Sequence, residues 1–253
     1  MTKFARWALL PIALLQAGAP ALHILIPGLE PIGGSAESGL LRAPESPPGI
    51  FFAIWLPIFL GFIAFAGYAL FKDTPLSRRL AVPLVLTGLI ASSWQVISQV
   101  MDGSVLAYPF LLALAFAAWW SAYRFDEMRG LGWGWPTVAA DLTTGLYAGW
   151  MTVAAAISTT STIRTLTGLG ATDHVWPMLI SSLVIAASGA LLAFARITRS
   201  HWYVVALAWG LTGIIINTWS ITGMNVGAVL TGCVALWVLR RRFTLGATGA
   251  MAA

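Results

Sequence analysis

The sequence is poor in charge. Only 14 Lys and Arg and 9 Asp and Glu occur in 253 residues, so that charged residues make up 9% of the chain. A soluble domain carries roughly 25% charged residues, and this chain has too few to cover its surface in water. Intrinsic disorder is also excluded, because disordered chains have low hydrophobicity and 58% of these residues are apolar. We therefore expect an integral membrane protein whose first partner is the lipid bilayer.

Reactive and metal-binding residues are also scarce. The single cysteine, Cys233, cannot form an intrachain disulfide. The two lysines, Lys3 and Lys72, lie at the ends of apolar segments, which excludes a retinal Schiff base inside a helix. No metal, nucleophile or phosphate-loop motif occurs, and the three histidines are far apart along the chain. We assign no catalytic residue, no metal site and no required cofactor, and the residue inventory favours binding over catalysis.

The apolar segments are long and do not alternate with polar residues, which predicts membrane-spanning helices and not barrel strands. The fold class is thus an all-α polytopic helix bundle. We expect about eight transmembrane helices, at residues 6–27, 49–71, 80–101, 105–124, 134–158, 176–196, 202–220 and 225–240.

The basic residues are distributed unequally between the two ends of these helices. If the N-terminus lies on side one, twelve of the Lys and Arg residues lie on side one, and only Arg42 and Arg164 lie on side two. Basic residues concentrate in cytoplasmic loops, so both termini are expected in the cytoplasm and the protein in a bacterial inner (cell) membrane. The one basic run, residues 240–242, follows an apolar segment, and no basic stripe accompanies it to follow a nucleic acid.

Two features near the N-terminus bear on organisation. The first segment resembles a signal peptide up to residues 17–19, but its apolar run continues to Pro27, which favours a retained helix over a cleaved one. The loop 28–48 on side two is the one long loop, and its prolines and acids suit a lid.

Asp141 is the only acid plainly within a predicted helix. Ionisable residues inside membranes are costly and often functional, so Asp141 is a candidate intramembrane acid. The alternative is a structural carboxylate near the cytoplasmic end that hydrogen-bonds to Thr143 or Thr144.

Three of the 13 tryptophans do not fit the interfacial belt where tryptophan is usual. Trp55, Trp94 and Trp150 are each about six to eight residues from the side-two end of a predicted helix, roughly 9–12 Å deep. Three indoles at one depth under the long loop predict an aromatic-walled ligand site, with ordinary helix packing as the alternative. Tyr147 points to the same side of its helix as Trp150.

Polar residues of helix 3 favour the ligand site. Gln95 and Ser98 share this helix with Trp94, and amides in a membrane are expected to face protein or water instead of lipid.

Three motifs resemble those of the tryptophan-rich sensory protein and translocator protein family, which includes the peripheral benzodiazepine receptor. Residues 47–55, Pro-Pro-Gly-Ile-Phe-Phe-Ala-Ile-Trp, resemble the start of that family's second helix. Residues 146–154 resemble its fifth-helix motif, Pro-Tyr-x-x-Trp-x-x-x-Ala, and residues 91–94 stand where the family has Asn-x-x-Trp. The resemblance covers residues 1–158 in the family's order.

The sequence departs from the family at three positions and in length. Ala91 and Ser158 stand where the family has Asn, and Leu146 stands where it has Pro. The chain is thus divided into a five-helix core, 1–158, with the lid loop, and a three-helix segment, 159–253, in the same bundle. The added helices either pack beside the site, with Trp209 and Asn217 facing in, or replace a subunit interface. A homodimer is therefore left open.

The resemblance implies binding of a porphyrin, of haem or of a sterol-like lipid in a pocket between the helices. It places the pocket at Trp55, Trp94, Tyr147 and Trp150. We add Phe52, Gln95 and Ser98 to these as candidate ligand-binding residues. It also implies that Pro47 and Pro48 set the angle of the lid.

Three functions remain open from the sequence. The first is a ligand-binding sensory protein, which needs no catalytic group. The second is a small-molecule transporter that uses Asp141 and the helix 3 amides, although no internal repeat is present. The third is a membrane enzyme that degrades a bound porphyrin with light.

Overall fold

The computed structural model describes residues 2–29, 32, 42–101, 104–128, 130, 132 and 134–223, and six separate positions between 229 and 240. The predicted eighth helix, 225–240, and much of the loop 28–48 lie outside the described residues. Within the described part the chain is all-helical, which confirms the predicted fold class.

Seven membrane-length helices are described. They are α1 (Thr2–Gly18), α2 (Trp55–Phe71), α3 (Pro75–Val100), α4 (Ala107–Asp126), α5 (Trp135–Thr167), α6 (Val175–Arg196) and α7 (His201–Thr222). A 3₁₀ helix (Ala19–Ala21) and a short helix (Leu22–Leu25) continue α1, and a 3₁₀ helix (Gly49–Ile54) leads into α2. Five of these seven spans, all but α4 and α5, are long and apolar enough to cross a membrane.

Local signals explain where two helices differ from their predicted bounds. Helix α3 begins at Pro75, because Thr74 caps it and exchanges hydrogen bonds with Ser77 in a capping box. Helix α5 continues nine residues past the predicted end at 158 and stops at Gly168, whose φ of +67° suits a glycine C-cap. Arg164, expected in a loop, is therefore helical.

The first five helices form a closed ring in the order α1–α2–α5–α4–α3, in which each helix contacts the next. Helices α6 and α7 pack on α5 from outside this ring. Every residue from Thr143 to Val153 of α5 is buried as a result. Small and hydroxyl residues are common where membrane helices pack on one another, which is consistent with the lower hydropathy of α5.

Glycines allow α7 to approach α5 closely. A methyl group on Gly149 would clash with the carbonyl oxygen of Tyr203 and lie 2.9 Å from the side chain of Ala206. A methyl on Gly145 would lie 2.8 Å from Trp202. The small-residue pair of α5 is thus the surface on which α7 packs.

Candidate ligand site

The aromatic residues predicted from the sequence do come together. Trp55 stacks on Trp94 with ring centroids 6.1 Å apart and meets the edge of Tyr147 at 5.6 Å, and Phe52 meets Trp150 at 5.5 Å. We call these five residues the aromatic cluster. Because α2 and α3 are not successive members of the ring, the Trp55–Trp94 stack fills its interior.

The aromatic cluster is packed and not open. Tyr147 is 1% exposed and Trp150 is 2% exposed, and both belong to the core. Helix α5 ends at Thr167 and not at 158, so the Trp150 indole lies about 25 Å along the axis from the end of its helix. Tyr147 and Trp150 therefore leave no open volume between the rings. The cluster forms the packed floor beneath an open volume that lies to one side of it.

A buried hydrogen bond supports this floor. The Gln16 side-chain amide donates to the Tyr147 hydroxyl at 2.7 Å, and this bond joins α1 to α5 across the ring. Sequence reasoning missed Gln16, although an amide in an apolar helix is a signal that one face of α1 meets protein.

The helix 3 amides have different surroundings. The Gln99 amide donates to the carbonyl oxygen of Ala19 at 2.8 Å, and its oxygen accepts from the backbone of His23 at 3.1 Å. Gln95 is buried, and Ser98 is half-buried. Gln99 thus joins the end of α1 to α3. Of the two predicted polar residues, Gln95 and Ser98, only Ser98 lines a cavity.

The open space is a cavity of about 270 Å³ between the side-two ends of α3, α4 and α5. Phe52 and Trp94 form its aromatic wall, and Ser98, Ser104 and Tyr108 lie on the α3–α4 side. Helix α5 contributes four hydroxyl residues, Ser158, Ser161, Thr162 and Thr165. We call it the hydroxyl cavity. Of the predicted site residues, only Phe52, Trp94 and Ser98 line it.

The sequence could not place this cavity on α5. Its hydroxyl residues lie in the stretch that was expected to be a loop after residue 158, and the helical spacing of Ser158, Ser161, Thr162 and Thr165 puts them on one face. The sequence signal for this longer helix is the helical spacing of the hydroxyl residues, followed by Gly168 as a C-cap.

A segment beside the cavity, residues 42–54, lies over the side-two end of the bundle, and we call it the strap. The Glu45 carboxylate accepts from the Arg164 guanidinium at 3.0 Å, with only 1% and 6% of the two side chains exposed. The guanidinium also donates to the carbonyl oxygens of Gly170 at 2.7 Å and Asp173 at 2.6 Å. These bonds join the strap, α5 and the following loop.

Helix α7 holds the strap from the other side. The Asn217 amide donates to the carbonyl oxygen of Ala43 at 2.9 Å, and the Thr218 hydroxyl donates to that of Pro44 at 3.0 Å. The Trp209 indole donates to the carbonyl oxygen of Phe51 at 2.7 Å. Trp209 and Asn217 of the added helices thus contact the strap, and neither lines the hydroxyl cavity.

The proline pair lies within the strap. Pro47 is buried and Pro48 precedes the 3₁₀ helix with φ of −58° and ψ of 153°, an extended conformation. Pro47 packs near Gly213 of α7, where an added methyl would lie 2.7 Å from its Cβ. The pair therefore fixes the direction in which the strap enters α2.

Asp141 is remote from this site. It lies six residues into α5 from Trp135, is half-buried, and is about 25 Å along the axis from Ser158. Among the residues that the structure describes, no group of three or more His, Cys, Asp or Glu is placed to hold a metal ion.

The family model described as TSPO-like protein matches residues 41–241. The chain belongs to the TSPO-like family. The match starts at the strap and includes α6 and α7, so both helices lie in the region that the family model of this TSPO-like protein describes. No curated protein and no solved structure matches the chain.

Proposed function

We propose that this TSPO-like protein is a membrane ligand-binding and sensory protein that holds a flat apolar ligand, of the porphyrin or sterol type, in the side-two half of the bundle. The hydroxyl cavity carries the proposal: it has an aromatic wall, hydroxyl groups and a strap beside it. Such a mixture of apolar wall and a few polar groups is usual for ligand sites.

The strap supplies a means of reporting the ligand. It joins Phe52 in the cavity wall to α7 through Trp209 and to α5 through Arg164. A ligand that displaces Phe52 would act on both helices through these bonds. A sensor needs two states that the ligand distinguishes, and the strap is the element we assign to that role.

The cavity volume supports a small or partly enclosed ligand. About 270 Å³ lies just below the range of roughly 300–1,000 Å³ in which drug-sized ligands are held. A porphyrin would bind with one edge in the cavity, or after movement of the strap.

The proposal is tested by quenching of tryptophan fluorescence in lipid nanodiscs, with protoporphyrin IX and its dimethyl ester as probes. We expect saturable quenching by at least one probe and a several-fold weaker affinity in Trp94→Phe. Trp219→Phe is the matched control, because Trp219 is 55% exposed on α7 and outside the cavity. Quenching that stays linear with both probes, or that is equally affected by both variants, would overturn the proposal.

Transport is the alternative outcome. Saturable uptake of the probe into vesicles that Asp141→Asn abolishes would favour the transporter over the sensor. Binding without uptake is the result that the proposal predicts.

A further inference from the structure

The hydroxyl cavity differs from an anion site in its lining. The side chains that surround it are apolar, aromatic or hydroxyl-bearing, and none of these described residues is a lysine, arginine or histidine. A carboxylate that enters the apolar part of the cavity, against Phe52 and Trp94, would lose water without gaining a cation, which is unfavourable.

The nearest basic residue along α5 is already engaged. Arg164 precedes Thr165 of the cavity, but its guanidinium is held by Glu45 and by the carbonyl oxygens of Gly170 and Asp173. Recruiting it for an anionic ligand would leave Glu45 buried and unpaired. Arg42, the other arginine on side two, donates to the carbonyl oxygen of Pro47 at 3.3 Å and does not line the cavity. Both arginines therefore serve the strap and not the ligand.

Several hydroxyl groups of the cavity are available to a ligand. The Thr165 hydroxyl donates to the carbonyl oxygen of Ser161, as threonine commonly does in membrane helices, and the Tyr108 hydroxyl shares a hydrogen bond with Thr159. By contrast, the hydroxyls of Ser98, Ser158, Ser161 and Thr162 have no hydrogen-bond partner in the part of the chain that the structure describes.

From these observations we infer that the cavity selects ligands whose polar end is uncharged, such as a hydroxyl, carbonyl, ester or amide, and discriminates against carboxylates. The inference rests on the proposed function and narrows its ligand class. Hydroxyl groups both donate and accept, so Ser98, Ser158, Ser161 and Thr162 can satisfy either kind of neutral group. The flat apolar part of the ligand would lie against Phe52 and Trp94.

The two porphyrin probes test this inference, because they share a macrocycle and differ in charge. In nanodiscs of one lipid composition, with empty discs subtracted, we expect the dimethyl ester to bind with a Kd about tenfold lower than the free acid, a difference of about 1.4 kcal/mol. Equal affinities, or tighter binding of the acid, would overturn the inference and leave the proposed function standing. Failure of both probes to saturate would overturn the proposed function itself.

A second test of the inference introduces a positive charge into the cavity. Ser161 is exposed at the cavity, so Ser161→Lys should fit and place a cation beside the ligand. We expect this variant to shift the preference several-fold toward the free acid. Thr172→Lys is the matched control, because Thr172 is exposed in the loop on the same side and does not line the cavity. Equal shifts in the two variants would mean that surface charge, and not the cavity lining, determines the preference.

Discussion

The two ends of the bundle use ion pairs differently. On side one Asp73 accepts from Arg6 at 2.6 Å and from Arg78 at 2.7 Å. Arg6 is 7% exposed, but 55% of the Asp73 side chain is exposed. On side two Glu45 and Arg164 are almost fully buried. Exposed pairs contribute roughly 0–1 kcal/mol, whereas a buried pair is costly to break. On side one each described pair thus keeps at least one partner in contact with water, whereas on side two a pair with both partners buried holds the strap.

The largest expected effect comes from breaking the buried pair. Arg164→Ala or Glu45→Ala leaves an uncompensated buried group, and we expect the free energy of unfolding to fall by about 3–5 kcal/mol. Arg79→Ala, which removes a partly exposed pair with Glu127 on side one, should cost at most about 1 kcal/mol. Thermal unfolding in one detergent measures both.

A double replacement separates the charge from the packing. Glu45→Leu with Arg164→Met removes both charges together, and it should recover most of the stability lost in either alanine variant. Equal losses at the two ends of the bundle would contradict the comparison.

A smaller effect is expected from crowding the contact between the strap and α7. In Gly213→Ala the new methyl would lie 2.7 Å from Pro47 and 2.8 Å from Phe51, which should cost about 1–3 kcal/mol and raise proteolysis within the strap. Gly67→Ala on α2 is the matched control, because no atom lies within 4 Å of its added methyl. The control should be neutral or slightly stabilising, since glycine weakens a helix interior. Equal destabilisation by the two variants would mean that the strap is not held by α7.

The smallest expected effect is a pH dependence on side one. The hydrogen bond from Arg78, with the charge of Arg6, lowers the pKa of Asp73 below its usual 3.8. This pairing stabilises the fold fully above the unfolded pKa, and the contribution is lost as the pH falls through the lowered folded value. The melting temperatures of the wild type and Asp73→Asn should therefore differ at neutral pH and converge below pH 3.8. A difference independent of pH would contradict the pairing.

Much of the fold follows from local properties of the sequence. Long apolar runs predicted the seven helices that the structure describes, and the motifs at 47–55 and 146–154 predicted that Trp55 and Tyr147 meet.

The site was harder to predict, because it depends on helix rotation and on partners distant in sequence. Nothing near Gln16 indicates that its amide reaches Tyr147, and nothing near Arg164 indicates that Glu45 is its partner. The Ser/Thr-rich stretch after 158 resembles a loop in composition, yet packing and the C-cap at Gly168 keep it helical. The open cavity therefore lies at one edge of the aromatic cluster, where Phe52 and Trp94 line it and the other predicted aromatic residues do not.

The most direct test of the account is ligand protection of a cysteine placed in the hydroxyl cavity. With Cys233→Ser as background, Ser161→Cys and Thr172→Cys are labelled with a maleimide in nanodiscs, with and without the porphyrin dimethyl ester. The account predicts that the ester slows labelling at 161 in a saturable way and leaves labelling at 172 unchanged. Labelling at 161 that the ester does not slow would show that the ligand does not occupy the cavity.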